Sequence, residues 1–207
     1  MPKYLYLVRH GEPEEGFTKR YLGRLNPGLS AVGVRQAERL GERLRRLAPG
    51  RIVASPLRRA ADTAAILARA CGLEVETNDL LLEISFGKLE GMTFKEASAV
   101  YPGATDSWQA LAGDFSFPGG EKFSDFTRRS AEMAACARRC PEESVVLVAH
   151  GGILRGVLCS LLSVEAEGPL RFRLAYASLT TVELDAGGGA VLLGFNVGRE
   201  KPEMAGK

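Results

Sequence analysis

Two histidines occur in this chain, and each stands between a short apolar run and glycine. They lie in Val8-Arg9-His10-Gly11 and in Ala149-His150-Gly151-Gly152. Ligands of open α/β sheets bind at the carboxyl ends of the strands, so both imidazoles are expected at one sheet edge. Histidine there can act as a nucleophile, an acid or a base. Two purely structural histidines are the less favoured interpretation, because the chain has no others.

Arginines occupy the same predicted edge. Arg9 adjoins the first histidine, and Arg58 and Arg59 follow a second apolar run and a turn. The planar guanidinium group binds phosphate oxygens in pairs and does not lose its charge. The sequence therefore predicts a site for a doubly charged phosphoryl group, whose transfer needs mainly positioning and charge stabilisation.

A proton donor for the leaving alcohol is also required. Glu83 ends an apolar run before a turn, and burial would keep its carboxyl group available as an acid. Glu90 is the competing carboxylate, and either glutamate can also be read as a surface residue. The residues alone do not decide between these interpretations.

Short apolar runs alternate with longer amphipathic runs along most of the chain. The predicted strands span residues 4–8, 52–54, 73–77 and 144–149, with a hairpin at 179–184 and 191–195. The predicted helices run from Ser30 to Pro49, from Pro56 to about Cys71, from Thr93 to Pro102, from Glu121 to Arg139 and from Ile153 to Leu162. This order predicts an α/β fold, a three-layer α/β/α sandwich with a mostly parallel sheet.

A single domain over residues 1–207 is expected, because no repeat or linker divides the chain. Residues from about 86 to 120 are rich in glycine and aromatic side chains and read as an irregular lid inserted over the site. Phe86, Trp108, Phe115, Phe117 and Glu121 are the lid residues that could select a substrate, although packing is the favoured role for most of the aromatic ones.

Composition excludes several classes of protein. The 207 residues carry 27 Lys and Arg against 25 Asp and Glu, so no global field favours nucleic acid or an anionic membrane. No secretory signal or membrane-length apolar span is visible. The four cysteines read as reduced thiols of a cytoplasmic protein, and Cys136 with Cys140 is a weak metal pair.

Four ordered blocks resemble the histidine phosphatase superfamily, also called the phosphoglycerate mutase-like family. The blocks are Arg-His-Gly-Glu at 9–12, Ser-Pro-Leu-Arg-Arg-Ala at 55–60, Leu-Glu-Ile-x-Phe-Gly at 82–87 and Val-Ala-His-Gly-Gly at 148–152. The pattern is most similar to small bacterial members such as α-ribazole phosphatase. A segment at 23–37 also resembles the family's approach to its first helix.

The resemblance implies a role for each matching residue. His10 would be the nucleophile, and Glu83 rather than Glu90 would be the general acid and then the base. Arg9, Arg59 and His150 would hold the phosphoryl oxygens. The backbone of Gly151 would be a further donor. The family needs no metal, and no cofactor is expected for this chain.

The chain departs from the family pattern beside this pocket. Gly16 stands where many members have an asparagine that helps bind phosphate, and Leu22 stands at a position that is often polar. Leu22, Gly23 and Asn26 are the candidate substrate-binding positions. These departures bear on substrate recognition and leave the four-residue phosphate pocket intact.

Three functions follow as hypotheses. A metal-independent phosphomonoesterase acting on a small phosphorylated metabolite, of a kind similar to α-ribazole phosphatase, is favoured. Glu83 and His150 are only 67 positions apart, whereas the resemblance implies larger insertions there in the family's mutases. A cofactor-dependent phosphoglycerate mutase and a non-catalytic phospho-ligand-binding module are the alternatives. The expected partner is a small-molecule phosphate ester, with neither nucleic acid nor membrane, and the protein is expected to be a monomer or homodimer.

Overall fold

A six-stranded sheet lies at the centre of the molecule. The computed structural model describes residues 3–110, 115–164, 173–185 and 187–198. Its strands are β1 (Lys3–Arg9), β2 (Arg51–Ala54), β3 (Val75–Thr77), β4 (Ser144–Ala149), β5 (Leu179–Leu184) and β6 (Ala190–Val197). Its helices are α1 (Ala31–Arg45), α2 (Arg58–Cys71), α3 (Phe94–Val100), α4 (Pro102–Ala110), α5 (Phe123–Arg139) and α6 (Gly151–Leu162).

The strand order places the ends of β1 and β4 side by side. The order is β3-β2-β4-β1-β5-β6. The first four strands are parallel, β5 is antiparallel to β1, and β6 is antiparallel to β5. Arg9 on β1 is in register with Ala149 on β4. His10 and His150 each follow by one residue, so the two histidines leave the sheet next to each other, as the strand-end argument predicts.

Alternating side chains of the strands build two separate cores. Leu5 and Leu7 of β1 pack in the cluster that contains residues of α5 and α6. Tyr6 and Val8 pack in the cluster that contains residues of α1 and α2. A strand buried on both faces explains the continuous apolar run at the start of the chain. The predicted three-layer α/β/α arrangement with a mostly parallel sheet is confirmed.

Local sequence signals set the helix starts. Ser30 caps α1, because its hydroxyl oxygen accepts the Gly33 N–H at 3.0 Å. Thr93 and Glu96 form the expected capping box at the start of α3. Both predicted starts are confirmed.

The expectation of an irregular stretch at 86–120 is wrong in part. The helix expected to end before Pro102 is α3, which ends at Val100, whereas α4 was not predicted and has Pro102 as its first residue. Proline fits that position because its missing N–H would have no helical partner there. Residues 111–114 of the proposed lid lie outside the described residues.

No helix in the described ranges is both long enough and apolar enough to cross a membrane.

Candidate active site

His10 lies at the end of β1 with one ring nitrogen engaged and the other available. Its side chain is buried, and its backbone N–H donates to the Ala149 carbonyl at 2.9 Å. The Nδ1 atom lies 2.7 Å from the carbonyl oxygen of Gly11. A carbonyl only accepts, so Nδ1 carries the proton and Nε2 keeps its lone pair.

Charge and burial keep His10 neutral. Burial lowers its pKa well below the ordinary value of 6.5, and the charges of Arg9 and Arg59 lower the pKa further. The Gly11 carbonyl acts in the opposite direction and does not offset them. A neutral imidazole with a free Nε2 is the form that attacks an electrophile.

The loop that carries His10 is fixed by close backbone packing. The Gly11 N–H donates to Thr63 Oγ1 at 3.0 Å. A Cβ atom at Gly11 would lie 2.5 Å from the Gly33 carbonyl oxygen, and a Cβ atom at Gly33 would collide with the Glu12 carbonyl oxygen. Only glycine at both positions lets the loop and the first turn of α1 approach this closely.

Arg9 stands beside His10 and is held in place without a carboxylate. Its guanidinium carbon lies 4.0 Å from the centroid of the Tyr176 ring, and Nη1 donates to the Leu174 carbonyl at 2.6 Å. Its Nε atom is buried and has no hydrogen-bond partner in the described part of the chain. Burial lowers the pKa of Arg9.

Arg59, on the first turn of α2, is also held by backbone carbonyl oxygens. Its side chain is buried and donates to the carbonyl oxygens of Leu25 at 2.6 Å and Gly23 at 3.0 Å. Its Nε atom is also buried and unpartnered among the described residues. Burial lowers the pKa of Arg59 to about 10. Arg59 is buried, Arg9 is half-buried, and the buried, unused Nε donors of both indicate a site for an anion.

His150 packs against His10 at the start of α6. The ring centroids are 5.1 Å apart, and Nε2 of His150 lies 2.8 Å from Ser55 Oγ. Its Nδ1 atom is buried and has no partner within the described ranges. Burial, followed by the charge of Arg59, lowers the pKa of His150 well below its ordinary value.

Glu83 is buried, and its carboxylate is turned toward backbone donors. Its oxygens accept the N–H groups of Gly152 at 2.8 Å, Ile153 at 3.0 Å and Ile84 at 3.0 Å. The first two donors belong to the N-terminus of α6, which favours negative charge. The surroundings of Glu83 are thus less apolar than its sequence context indicates, because this helix end supplies polar contacts.

Glu90, the competing carboxylate, forms hydrogen bonds to the backbone of two loops. Its Oε1 accepts the backbone N–H groups of Arg24 at 3.0 Å and Phe86 at 3.1 Å. Glu83 lines the same cleft as His10, whereas Glu90 is not among the described residues of that lining. The geometry therefore favours Glu83 as the proton carrier.

These groups open into a cleft of about 650 Å³. Its lining includes His10, Arg9, Arg59, Glu83 and Gly151, and two of the aromatic lid residues, Phe86 and Trp108. The other aromatic lid residues pack around these two, with Phe117 buried at ring distances of 5.0 and 5.5 Å from them.

The three candidate substrate-binding positions differ in placement. Leu22 and Gly23 line the cleft. Asn26 is absent from the described lining, and its carboxamide oxygen accepts the Arg58 N–H at 2.6 Å. Asn26 therefore caps α2 from a neighbouring loop, since Leu57 before that helix provides no side-chain cap.

Three residues of the site were not singled out by the sequence analysis as site residues. Ser55 contacts His150, Tyr176 stacks on Arg9, and Arg155 lines the cleft. Ser55 stands within a recognised block, so its type was visible although its contact was not. Tyr176 is brought to the site by the segment before β5 and carries no local motif.

The donor set suits an anion better than a metal ion. Arginines, rather than carboxylates, lie beside both imidazoles, and their positive charge disfavours a cation. Within the described residues, no group of three or more His, Cys, Asp or Glu side chains could hold a metal.

Comparisons with known proteins agree with this geometry. Residues 5–197 match the model of the histidine phosphatase superfamily, branch 1. Bifunctional protein Rv2228c of Mycobacterium tuberculosis is 37% identical over 198 residues, which cover 91% of this chain and 52% of that protein. The chain thus spans about half the length of that relative. Phosphoserine phosphatase 1 of Hydrogenobacter thermophilus is 33% identical over 182 residues, which cover 87% of this chain and 86% of that protein.

A solved structure supports the fold. A putative α-ribazole-5'-P phosphatase from Escherichia coli superposes with a TM-score of 0.86, covering 97% of this chain and 99% of that one. At 24% identity, this likeness concerns the fold alone. The family match extends over nearly the whole chain and includes all four motif blocks, so the chain belongs to the histidine phosphatase superfamily.

Proposed function

We propose that this chain is a metal-independent phosphomonoesterase that hydrolyses a small phosphorylated metabolite through a phosphohistidine on His10. One observation carries the proposal. A neutral His10, with Nε2 free, lies beside Arg9 and Arg59, whose buried Nε donors are unused among the described residues. Membership of the superfamily and the phosphatase named among the relatives support a phosphoric monoester hydrolase.

The first step transfers the phosphoryl group to the protein. His10 Nε2 attacks phosphorus while the bond between phosphorus and the leaving oxygen breaks. The protonated carboxyl group of Glu83 gives its proton to that oxygen, so a neutral alcohol departs. Arg9, Arg59 and His150 stabilise the charge on the three remaining oxygens.

The second step returns the protein to its starting state. The Glu83 carboxylate, now ionised at the N-terminus of α6, takes a proton from water. The resulting hydroxide attacks phosphorus, the bond between nitrogen and phosphorus breaks, and inorganic phosphate leaves. His10 is again neutral, and Glu83 again holds the proton that the next cycle needs.

The expected substrate is a small-molecule phosphate ester. A cleft of about 650 Å³ has the size of a metabolite site. The relative from Hydrogenobacter is named for phosphoserine, which is one substrate to test. The α-ribazole phosphatase likeness concerns the fold and does not favour that substrate.

Hydrolysis of an aryl phosphate in excess chelator tests the proposal. His10→Ala should lower kcat by about 10³-fold or more, because the nucleophile is removed. Glu83→Gln should accumulate a phosphorylated protein that is labile in acid and stable in base, because no base activates water. Arg128→Gln removes one exposed arginine outside the cleft, and as the control variant it should keep wild-type activity.

Four results would contradict the proposal. Full activity of His10→Ala would exclude the phosphohistidine, and loss of wild-type activity in chelator would exclude metal independence. Interconversion of phosphoglycerates without ester hydrolysis would favour the mutase. Tight phosphate binding without turnover of any ester would favour the binding module.

A further inference from the structure

Positive charge in the cleft exceeds what one phosphoryl group requires. Only one carboxylate, Glu83, is among the described lining residues. Six cationic side chains share that lining, namely Arg9, Lys19, Arg20, Arg59, Arg155 and Arg173. The formal charge of the whole chain is only +2, so the cleft concentrates positive charge. Arg9 and Arg59 are assigned to the phosphoryl group, which leaves four cations without a role in that chemistry.

Of those four, Arg20 has a carboxylate partner and Arg155 has none among the described residues. Arg20 is engaged, because it donates to the Gly91 carbonyl at 2.7 Å and pairs with Glu96 at 3.2 Å. Arg155, on the first turn of α6, donates from Nε to the Gly151 carbonyl at 2.8 Å. In the part of the chain that the structure describes, no carboxylate lies within ion-pair distance of Arg155.

Arg155 lies next to the phosphoryl site. A Cβ atom built on Gly151 would be 3.5 Å from the guanidinium carbon of Arg9, and Gly151 is also the residue to which Arg155 donates. One glycine therefore separates the two guanidinium groups. An anion bound to Arg155 would belong to the same small molecule as a phosphoryl group bound to Arg9.

Like charges remain close together around this point. Burial is the main cause that lowers the pKa of Arg155, and the charges of Arg9 and Arg173 lower it further. The charge of Glu83 opposes this effect, but the Glu83 oxygens already accept three backbone N–H groups. A second anion would relieve the repulsion among the three arginines.

We propose that Arg155, with Arg173 beside it, binds a second anionic group on the alcohol part of the ester. The substrate class is thus a phosphate monoester that also carries a carboxylate or a second phosphate. This inference rests on the proposed phosphatase function, and it names the substrate class of the same cleft. Arg155 acts on specificity and takes no part in bond breaking.

Matched ester pairs test the proposal. Phosphoserine and phosphoethanolamine differ by one carboxylate, as do 3-phosphoglycerate and glycerol 3-phosphate. Fructose 1,6-bisphosphate and fructose 6-phosphate differ by one phosphate, so this pair tests whether the second anion can be a phosphate. The wild type should favour the more anionic member in kcat/KM by about 10-fold to 100-fold, as expected for hydrogen bonds to a charged group. The pair with the larger ratio identifies which anion is bound.

Variants assign the preference to Arg155. Arg155→Gln should abolish the ratio mainly through KM and should lower kcat/KM for an aryl phosphate much less than for the anionic ester, because an aryl phosphate lacks the second anion. Arg155→Lys should restore part of the ratio. Arg128→Gln, which lowers the total charge equally outside the cleft, should leave the ratio unchanged.

The outcomes separate this inference from the phosphatase assignment. Equal kcat/KM within every pair, or equal losses on aryl and anionic esters in Arg155→Gln, would overturn the second anionic site while hydrolysis that depends on His10 persists. A thermal unfolding midpoint lowered in Arg155→Gln, with the ratio retained, would assign Arg155 a structural role and also overturn it. Absence of hydrolysis in the wild type would instead overturn the proposed function.

Discussion

Two sets of buried arginines serve different purposes in this molecule. Arg129 on α5 donates to Glu121 from Nε at 3.0 Å and from Nη2 at 2.9 Å, and it also donates to the Leu80 carbonyl at 2.9 Å. Arg9 and Arg59 likewise donate to carbonyl oxygens, yet each keeps an unpartnered Nε and faces no carboxylate at ion-pair distance among the described residues.

The difference shows how a fold separates support from recognition. Arg129 is neutralised by Glu121, and its remaining donors hold the segment that leads to Glu83. Arg9 and Arg59 are oriented by neutral groups, so their charge stays available to a ligand. A buried cation without a counterion lowers the free energy of unfolding, and a bound anion would raise it again.

The largest expected effect is on turnover when Arg59 is replaced. Arg59→Met should lower kcat/KM for an aryl phosphate by about 10²- to 10³-fold, since a donor to the transition state is lost. The free energy of unfolding should be unchanged or raised, because a buried charge without a counterion is removed. Steady-state kinetics and urea unfolding measure the two effects. A loss of stability as large as that of an Arg129 variant would contradict the comparison.

Replacing Arg129 should act mainly on stability. Arg129→Met leaves the half-buried Glu121 with weaker partners, Arg24 at 3.8 Å and the Ser85 N–H at 3.2 Å, so the free energy of unfolding should fall by about 1–3 kcal/mol. The double variant Arg129→Met, Glu121→Met should recover most of that loss. Arg128→Met, at the exposed neighbouring arginine, should change stability by less than about 1 kcal/mol in the same urea titrations. If the double variant does not recover the free energy of unfolding, the loss in Arg129→Met does not come from the broken ion pair with Glu121.

The smallest effect is the pH dependence that the neutral histidines impose. Both pKa values lie below 6.5 in the folded protein, so below that pH the unfolded chain binds more protons. Stability should therefore fall by about 1 kcal/mol for each histidine between pH 6.5 and 5.5, because the unfolded imidazole is only half protonated at pH 6.5. Urea unfolding at pH 6.5 and 5.5 measures the slope, and His150→Gln should remove about half of it. An unchanged slope in that variant would mean that His150 is already protonated in the fold.

Adjacent strand ends made much of this site predictable. His10 and His150 each follow a buried parallel strand, and parallel strands end at one sheet edge, so their proximity followed from position along the chain. The start of α3 was predictable for a similar reason, because Thr93 and Glu96 act within a single turn. Local signals of this kind need no knowledge of distant contacts.

Contacts between distant segments were not predictable from the residues. Glu83 and Glu90 have similar sequence surroundings, and only the packing of α6 shows which carboxylate meets a helix N-terminus. Asn26 looks like a substrate contact in its own loop, yet its partner is Arg58. Tyr176 reaches Arg9 from 167 positions along the chain, and no local pattern encodes that distance.

The backbone contact between the His10 loop and α1 has a consequence for tolerance to mutation. Gly11 and Gly33 carry no functional group, yet no side chain fits at either position. A single methyl group there would displace the loop and shift His10 relative to Arg59 while every reacting atom stayed present. Such a substitution would resemble a chemical defect in an activity screen, although its origin would be steric. Intolerance to change in this protein therefore extends to residues that never meet the substrate.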